Sequence, residues 1–283
     1  MGAIWWAVGA LSELFTLAVA ADCPATQLEI VDAASGQWLE VADPRLNGSP
    51  ADDLQSRGGS LLYREEMDLQ ALATWIGRYN DLRPIPAVLA REVSARNRVL
   101  ESRLFELASA AEGLNRRIQD TRRTSVFTRA DARKVRKAAR EAAGDSEELQ
   151  ARAINALQYL SEVSYSERLC ELLKVASGAL PGMEEWDHDE WKGQVLEARN
   201  GLAHRLPSYP GAPWEDRWQE AYVLVQSLRW LLTTLLLLEA GVGSAALVRR
   251  LSQHRRFSVF REQAREWSPA VFHASRGGRA EGK

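Results

Sequence analysis

Apolar residues recur three and four positions apart over most of this chain, the spacing that marks one face of a helix. Residues 3–20 (AIWWAVGALSELFTLAVA) are apolar nearly all round, so this first helix is expected to be buried. The period then drops to two in TQLEIVDAASGQWLEV. Leu28 and Ile30 alternate with polar neighbours, Ala34-Ser35-Gly36 supplies a turn, and Trp38 opens a second extended stretch. That pattern predicts a β-hairpin. A lone hairpin is marginal in water, so further strands are expected to complete its sheet. Residues 43–60 (DPRLNGSPADDLQSRGGS) have the composition of a loop. Asp68 is placed to cap a helix running to about Leu82, and Pro84 and Pro86 set a boundary near residue 85. Beyond it helical periodicity dominates, over 87–119, 128–143, 147–177, 189–206, 215–240 and 244–265. Helices joined by short connections predict a mainly α fold: a helical bundle preceded by a small α+β region containing the hairpin.

Composition narrows the class. The 283 residues are 46% hydrophobic and 26% charged, and ten Trp, six Phe and six Tyr need burial, which excludes disorder over most of the length. A formal charge of −2 gives no global field, so any basic surface must be local. Two cysteines make neither a disulfide framework nor a zinc site, and a reducing cytoplasm is the expected setting. The start imitates a signal peptide, but no Lys or Arg precedes the apolar run and Glu13 interrupts it. The other apolar run, residues 230–238, falls short of the ~20 residues a bilayer needs. Both are expected to be buried helices, with no membrane partner.

One helix carries candidate chemistry. In WKGQVLEARNGLAHRLP (191–207), Trp191, Val195, Ala198, Leu202 and Leu206 share an arc, at ~100° per residue, and Arg199 falls within its extension through Leu196 and Ala203. Asn200 and His204 lie side by side on the adjoining polar edge, at i and i+4. A guanidinium on an apolar face is costly unless paired. Either it snorkels or meets a carboxylate as part of the architecture, with Glu112 of FELASAAEGL as a candidate, or it serves a site. No His, Cys and carboxylate cluster has metal-ligand spacing. His188, in EEWDHDE, fits an acidic helix start better than a metal site.

The order Arg199-Asn200-Gly201-Leu202-Ala203-His204 resembles the HEPN superfamily of ribonucleases. More narrowly, the helix RNRVLESRLFELASAAEGLNRR (96–117), the EARNGLAH motif and the following LVQSLRWLLTTLLLLEAGV run are similar to ApeA-like anti-phage defence proteins. The resemblance implies a HEPN helical bundle over residues 86–265. It also implies a truncated ApeA-type N-terminal domain over 1–83, and a flexible basic tail over 266–283. Gly201 departs from a good helix former, loosening the motif helix by about 1 kcal/mol relative to Ala.

What the resemblance implies chemically is a metal-independent endoribonuclease, without cofactor, acting as an RNA-cleaving toxin or defence effector. Attack by the RNA 2′-OH would leave a 2′,3′-cyclic phosphate and a 5′-OH. His204 would move protons, Arg199 would hold the phosphate, and Asn200 would orient His204 or touch substrate. One His cannot serve as base and acid at once, so a homodimer pairing two motif helices is expected. Two stretches could meet the RNA backbone. Residues 116–141 hold ten Lys/Arg against three acids, and residues 249–283 nine against three. Arg133, Arg136, Lys137 and Arg140 share a face in the first and are the expected RNA contacts. tRNA is the substrate suggested by family analogy alone. The alternative is a non-catalytic HEPN module that binds RNA, nucleotide or a partner protein.

Overall fold

The computed structural model describes residues 2–43, 46, 59–94, 98–118, 128–157, 163–204 and 217–273, leaving out the side chains of residues 2, 129 and 202–204. Most of the expected 43–60 loop, Leu206 and residues 274–283 of the expected tail lie outside the described residues. Among them the fold is mainly α. Eleven α-helices accompany one two-stranded antiparallel sheet. The order is α1 (Gly2–Val19), β1 (Glu29–Val31), β2 (Trp38–Glu40), α2 (Leu69–Leu82), α3 (Ile85–Ser94), α4 (Leu100–Asn115), α5 (Arg129–Ala142), α6 (Glu147–Ala156), α7 (Tyr165–Ala176), α8 (His188–His204), α9 (Trp218–Glu239), α10 (Ser244–Gln253) and α11 (Arg255–Trp267).

Helix α9 is the axis of the molecule. Its residues are buried almost without interruption from Ala221 to Leu237, and α3, α4, α7, α8 and α11 pack against it. It is long and apolar enough to cross a bilayer, but 89% of that stretch is buried inside the protein, as befits a core helix. One hydrophobic cluster runs from Ala10 of α1 through Trp75, Leu104, Trp191 and Trp230 to Phe272, so the N-terminal helices share the core of the bundle.

Three of the long expected helices divide, one of them at a side-chain cap. The 147–177 stretch becomes α6 and α7. The Ser164 side chain accepts from the Glu167 backbone N–H while the Glu167 carboxylate accepts from the Ser164 N–H, a capping box that starts a helix afresh. The 244–265 stretch divides at His254, whose extended backbone separates α10 from α11. Residues 87–119 divide into α3 and α4. Helix α3 opens at Ile85 with Pro86 in its first turn, where a missing N–H costs nothing.

Three expectations are corrected. Helix α1 is not buried all round: Ala10, Leu14, Thr16, Leu17 and Ala18 are deeply buried under α2, α3 and α9, but Phe15 is exposed. The hairpin gains no further strands among the described residues, and both its strands are exposed throughout. The packed chain also continues past 266: Val271 and Phe272 are buried, and the His273 N–H donates to the Glu185 carbonyl.

Candidate functional site

Helix α8 is positioned by its N-terminal cap and by its buried face. Asp187 caps it, its Oδ1 accepting from the backbone N–H groups of Asp189 (3.1 Å) and Glu190 (3.0 Å). His188, considered above for a metal, instead contacts the Met183 carbonyl through Nε2 at 3.2 Å. One turn on, the fully buried Trp191 indole donates from Nε1 to Ser227 Oγ of α9 at 2.8 Å. Val195 and Ala198 continue the buried face, so the rotation of the helix is fixed and with it the direction of Arg199.

Arg199 lies where α4, α7 and α8 meet. Its Nη2 donates to Glu112 Oε2 of α4 at 2.9 Å, and the guanidinium carbon lies 4.8 Å from the ring centre of Tyr165 on α7. Glu112 is the carboxylate expected as a candidate partner, and it is shared: its Oε1 accepts from Arg116 Nη2 at 2.9 Å. Tyr165 is pinned in turn, donating its hydroxyl to the Ala108 carbonyl at 2.9 Å. Burial raises the Tyr165 phenol far above its usual range, opposed by the nearby Arg199 charge and reinforced by Glu112, so the ring stays neutral under the cation. Arg199 is therefore oriented by a charge-assisted bond on one edge and an aromatic face. It is not sealed in, since 31% of its side chain reaches solvent. Its Nε is buried without a hydrogen-bond partner, so an anion such as a phosphate can meet Arg199 only through the part of the side chain that reaches solvent.

Asn200 is half-buried next to it and makes no side-chain hydrogen bond among the described residues. His204 ends α8; its side chain lies outside the described residues.

The other expected contacts are on α5. Helices α5 and α6 pack mainly on each other and form an arm beside the bundle. Arg133, Lys137 and Arg140 are exposed on this arm, with a long 3.8 Å pair between Lys137 and Glu141. Arg136 departs from the expected row. It is half-buried, and its Nε donates to the Leu157 carbonyl at 3.2 Å, tying the arm together. The expected row of four exposed cations thus reduces to three.

Two features escaped the sequence reading. Tyr165 is the first residue after the Ser164 cap, and the pattern S-Y-S-E was the available signal. A buried polar seam also joins α4 to α7 beside Glu112. Asn115 Nδ2 donates to the Arg168 carbonyl and to Glu171 Oε2, both at 3.3 Å, and Arg168 Nη1 donates to Asn115 Oδ1 at 3.0 Å. Asn115 sits in register with Leu104, Leu107, Ala108, Ala111 and Leu114 on the buried face of α4, a polar residue where the pattern calls for an apolar one.

No curated protein and no solved structure matches the chain. Residues 105–245, from α4 into α10, match the family described as Apea-like HEPN. That span contains Glu112, Tyr165, Arg199, Asn200, His204 and the whole α5–α6 arm, and the helical fold agrees with it. The chain thus belongs to the Apea-like HEPN family, through the helices that build the Arg199 junction.

Proposed function

We propose that this protein is a HEPN-type endoribonuclease, metal-independent and acting in the cytoplasm as a defence effector or toxin. The observation that carries the reading is the setting of Arg199: oriented by Glu112 and Tyr165, partly open to solvent, and five residues ahead of His204 on the same helix. Both cysteines, Cys23 and Cys170, are unpaired, which suits a reducing compartment.

In this mechanism the phosphate docks on the solvent-reaching part of Arg199, which neutralises the charge gathering on its oxygens. The RNA 2′-oxygen forms a bond to phosphorus as its proton passes to His204. The bond from phosphorus to the 5′-oxygen breaks, and that oxygen takes a proton from the second copy's imidazole. A homodimer is therefore part of the proposal, with Asn200 beside the shared cleft. Arg133, Lys137 and Arg140 form the track for the RNA backbone, and tRNA is the first substrate to try. A second reading, a non-catalytic HEPN module, is favoured by one observation: the Glu112 carboxylate already satisfies part of Arg199.

Purified protein incubated with total RNA in excess EDTA separates them. The endonuclease reading expects cleavage to 2′,3′-cyclic phosphate ends, reduced by about 10²- to 10⁴-fold in His204→Ala, the range for losing a proton-transfer group. RNA binding with no cleavage in the wild type, or activity that returns only with Mg²⁺, rejects it.

A further inference from the structure

The β1–β2 hairpin stands apart from the shared core. Its three pairs are Glu29 with Glu40, Ile30 with Leu39, and Val31 with Trp38. Alternation places Val31, Trp38 and both glutamates on one face, and Ile30 and Leu39 on the other. All six are exposed, Trp38 at 69% and Val31 at 49%, so neither face of the sheet packs on the bundle. The turn holds the hairpin in shape. Asp32 Oδ2 accepts from the Ser35 backbone N–H at 3.1 Å and from its hydroxyl, and Gly36 takes the left-handed backbone that the turn needs (φ 68°).

Two strands with apolar groups on both faces, and no third strand at either edge among the described residues, are a template for a further strand. Edges are usually blunted with Lys or Pro, and residues 28–41 contain neither. Their charges are Glu29, Asp32 and Glu40, all acidic, and the two glutamates are directly opposed, which costs stability unless a cation answers them. This charge selects the occupant. A second copy of the hairpin would bring acid against acid, and the phosphates of RNA or of an anionic bilayer would be repelled in the same way.

We propose that the hairpin docks an extended basic segment of a partner protein, added as a third strand. Alternate Lys or Arg side chains of that segment meet Glu29 and Glu40 and lie over the Trp38 ring, and its intervening apolar side chains cover Ile30 and Leu39. The surface is separate from the Arg199 junction, and its test is a binding measurement that does not depend on RNA cleavage.

The probe is a fluorescently labelled, end-blocked peptide of four Lys-Val repeats, titrated with the full chain and followed by anisotropy at low and high salt. Binding is expected to weaken with salt. Trp38→Ala and Glu29→Gln/Glu40→Gln should each lower affinity about tenfold or more, as expected for an aromatic anchor and a charge pair at the centre of a contact. The glutamine variant removes the repulsion between the strands, so weaker binding there reports charge rather than loss of the hairpin. The proposal is overturned if the peptide does not bind, if a Glu-Val peptide binds equally, or if both variants bind like wild type. It is also overturned if Trp38→Ala removes binding to a single-stranded RNA or to phosphatidylglycerol vesicles. A dimer that becomes monomeric in Trp38→Ala would assign the surface to a second copy instead.

Discussion

Two arginines on apolar helix faces meet opposite fates in this molecule. Arg199 of α8 has a carboxylate at 2.9 Å, a tyrosine ring beside it and a third of its side chain in solvent. Arg229 of α9 is buried, with the Gln226 amide oxygen at 3.4 Å and the Trp230 ring at 5.1 Å; the Nε of each arginine is buried without a hydrogen-bond partner. Glu92, the acid in its neighbourhood, is bonded through both oxygens to Arg103. Burial therefore pulls the Arg229 pKa down to about 10; Glu92 opposes this, and the charges of Arg256 and Arg103 add to it. A guanidinium in an apolar arc is thus not by itself a sign of a site. What separates the two is a paired, solvent-reaching junction of three helices against the interior of a single core helix.

The sharpest test of that contrast exchanges each arginine for methionine. Arg199→Met should lower RNA cleavage by about 10²- to 10³-fold, the scale of losing one preorganised donor to the reacting phosphate. Its urea midpoint should hardly move, because a partly exposed ion pair contributes roughly 0–1 kcal/mol. Arg229→Met should spare the reaction. Cleavage stays at the wild-type rate, while unfolding free energy is unchanged or rises by about 1–4 kcal/mol as a poorly answered buried charge is removed. Loss of cleavage in Arg229→Met with an unchanged midpoint would break the comparison.

A smaller effect is expected on the arm, where cations are neither buried nor fully paired. Arg133→Ala/Lys137→Ala/Arg140→Ala should weaken RNA binding and lower the log–log salt slope by about 0.7 for each lost contact on single-stranded RNA. Arg136→Ala, whose guanidinium is already bonded to the Leu157 carbonyl, should change the slope less. Equal slopes in the triple variant and wild type would return the arm to solvent.

The smallest effect concerns the surroundings of Arg229. His254 is buried against Trp230, and its imidazole pKa is lowered by desolvation and by the charges of Arg256 and Arg229. The folded state therefore prefers the neutral ring. Its contribution is complete above the unfolded value, about 6.5, and is lost as pH falls from there through the lowered folded value. The slope in that window is at most about 1.4 kcal/mol per pH unit. Stability measured from pH 7.5 to 5 should decline less steeply in His254→Phe, and identical slopes would show that the ring does not titrate with unfolding.

Local signals carried much of the architecture. Apolar periodicity located the helices, Asp68 capped α2 where expected, with its Oδ1 accepting from the Ala71 N–H at 2.8 Å, and the hairpin fell where the period changed to two. Glu112 was legible as a partner for Arg199 because each lies within an apolar stretch of its own helix. The divisions at Ser164 and His254 were less legible, since helical periodicity runs through both and only cap geometry reveals the break.

The sequence alone determined the helical class, the order of elements and the family motif, because these depend on residue spacing along a few turns. Only the tertiary structure decided which charges are answered. It brought Glu112 and Arg199, 87 residues apart, to 2.9 Å and slid Tyr165 beside them. It left Arg229 almost alone in the core, drew Arg136 out of its row, and exposed both faces of the hairpin. Periodicity reports which face of a helix is apolar, whereas the energy of a charge depends on what packs against that face, and such partners are set by contacts between elements distant in the chain.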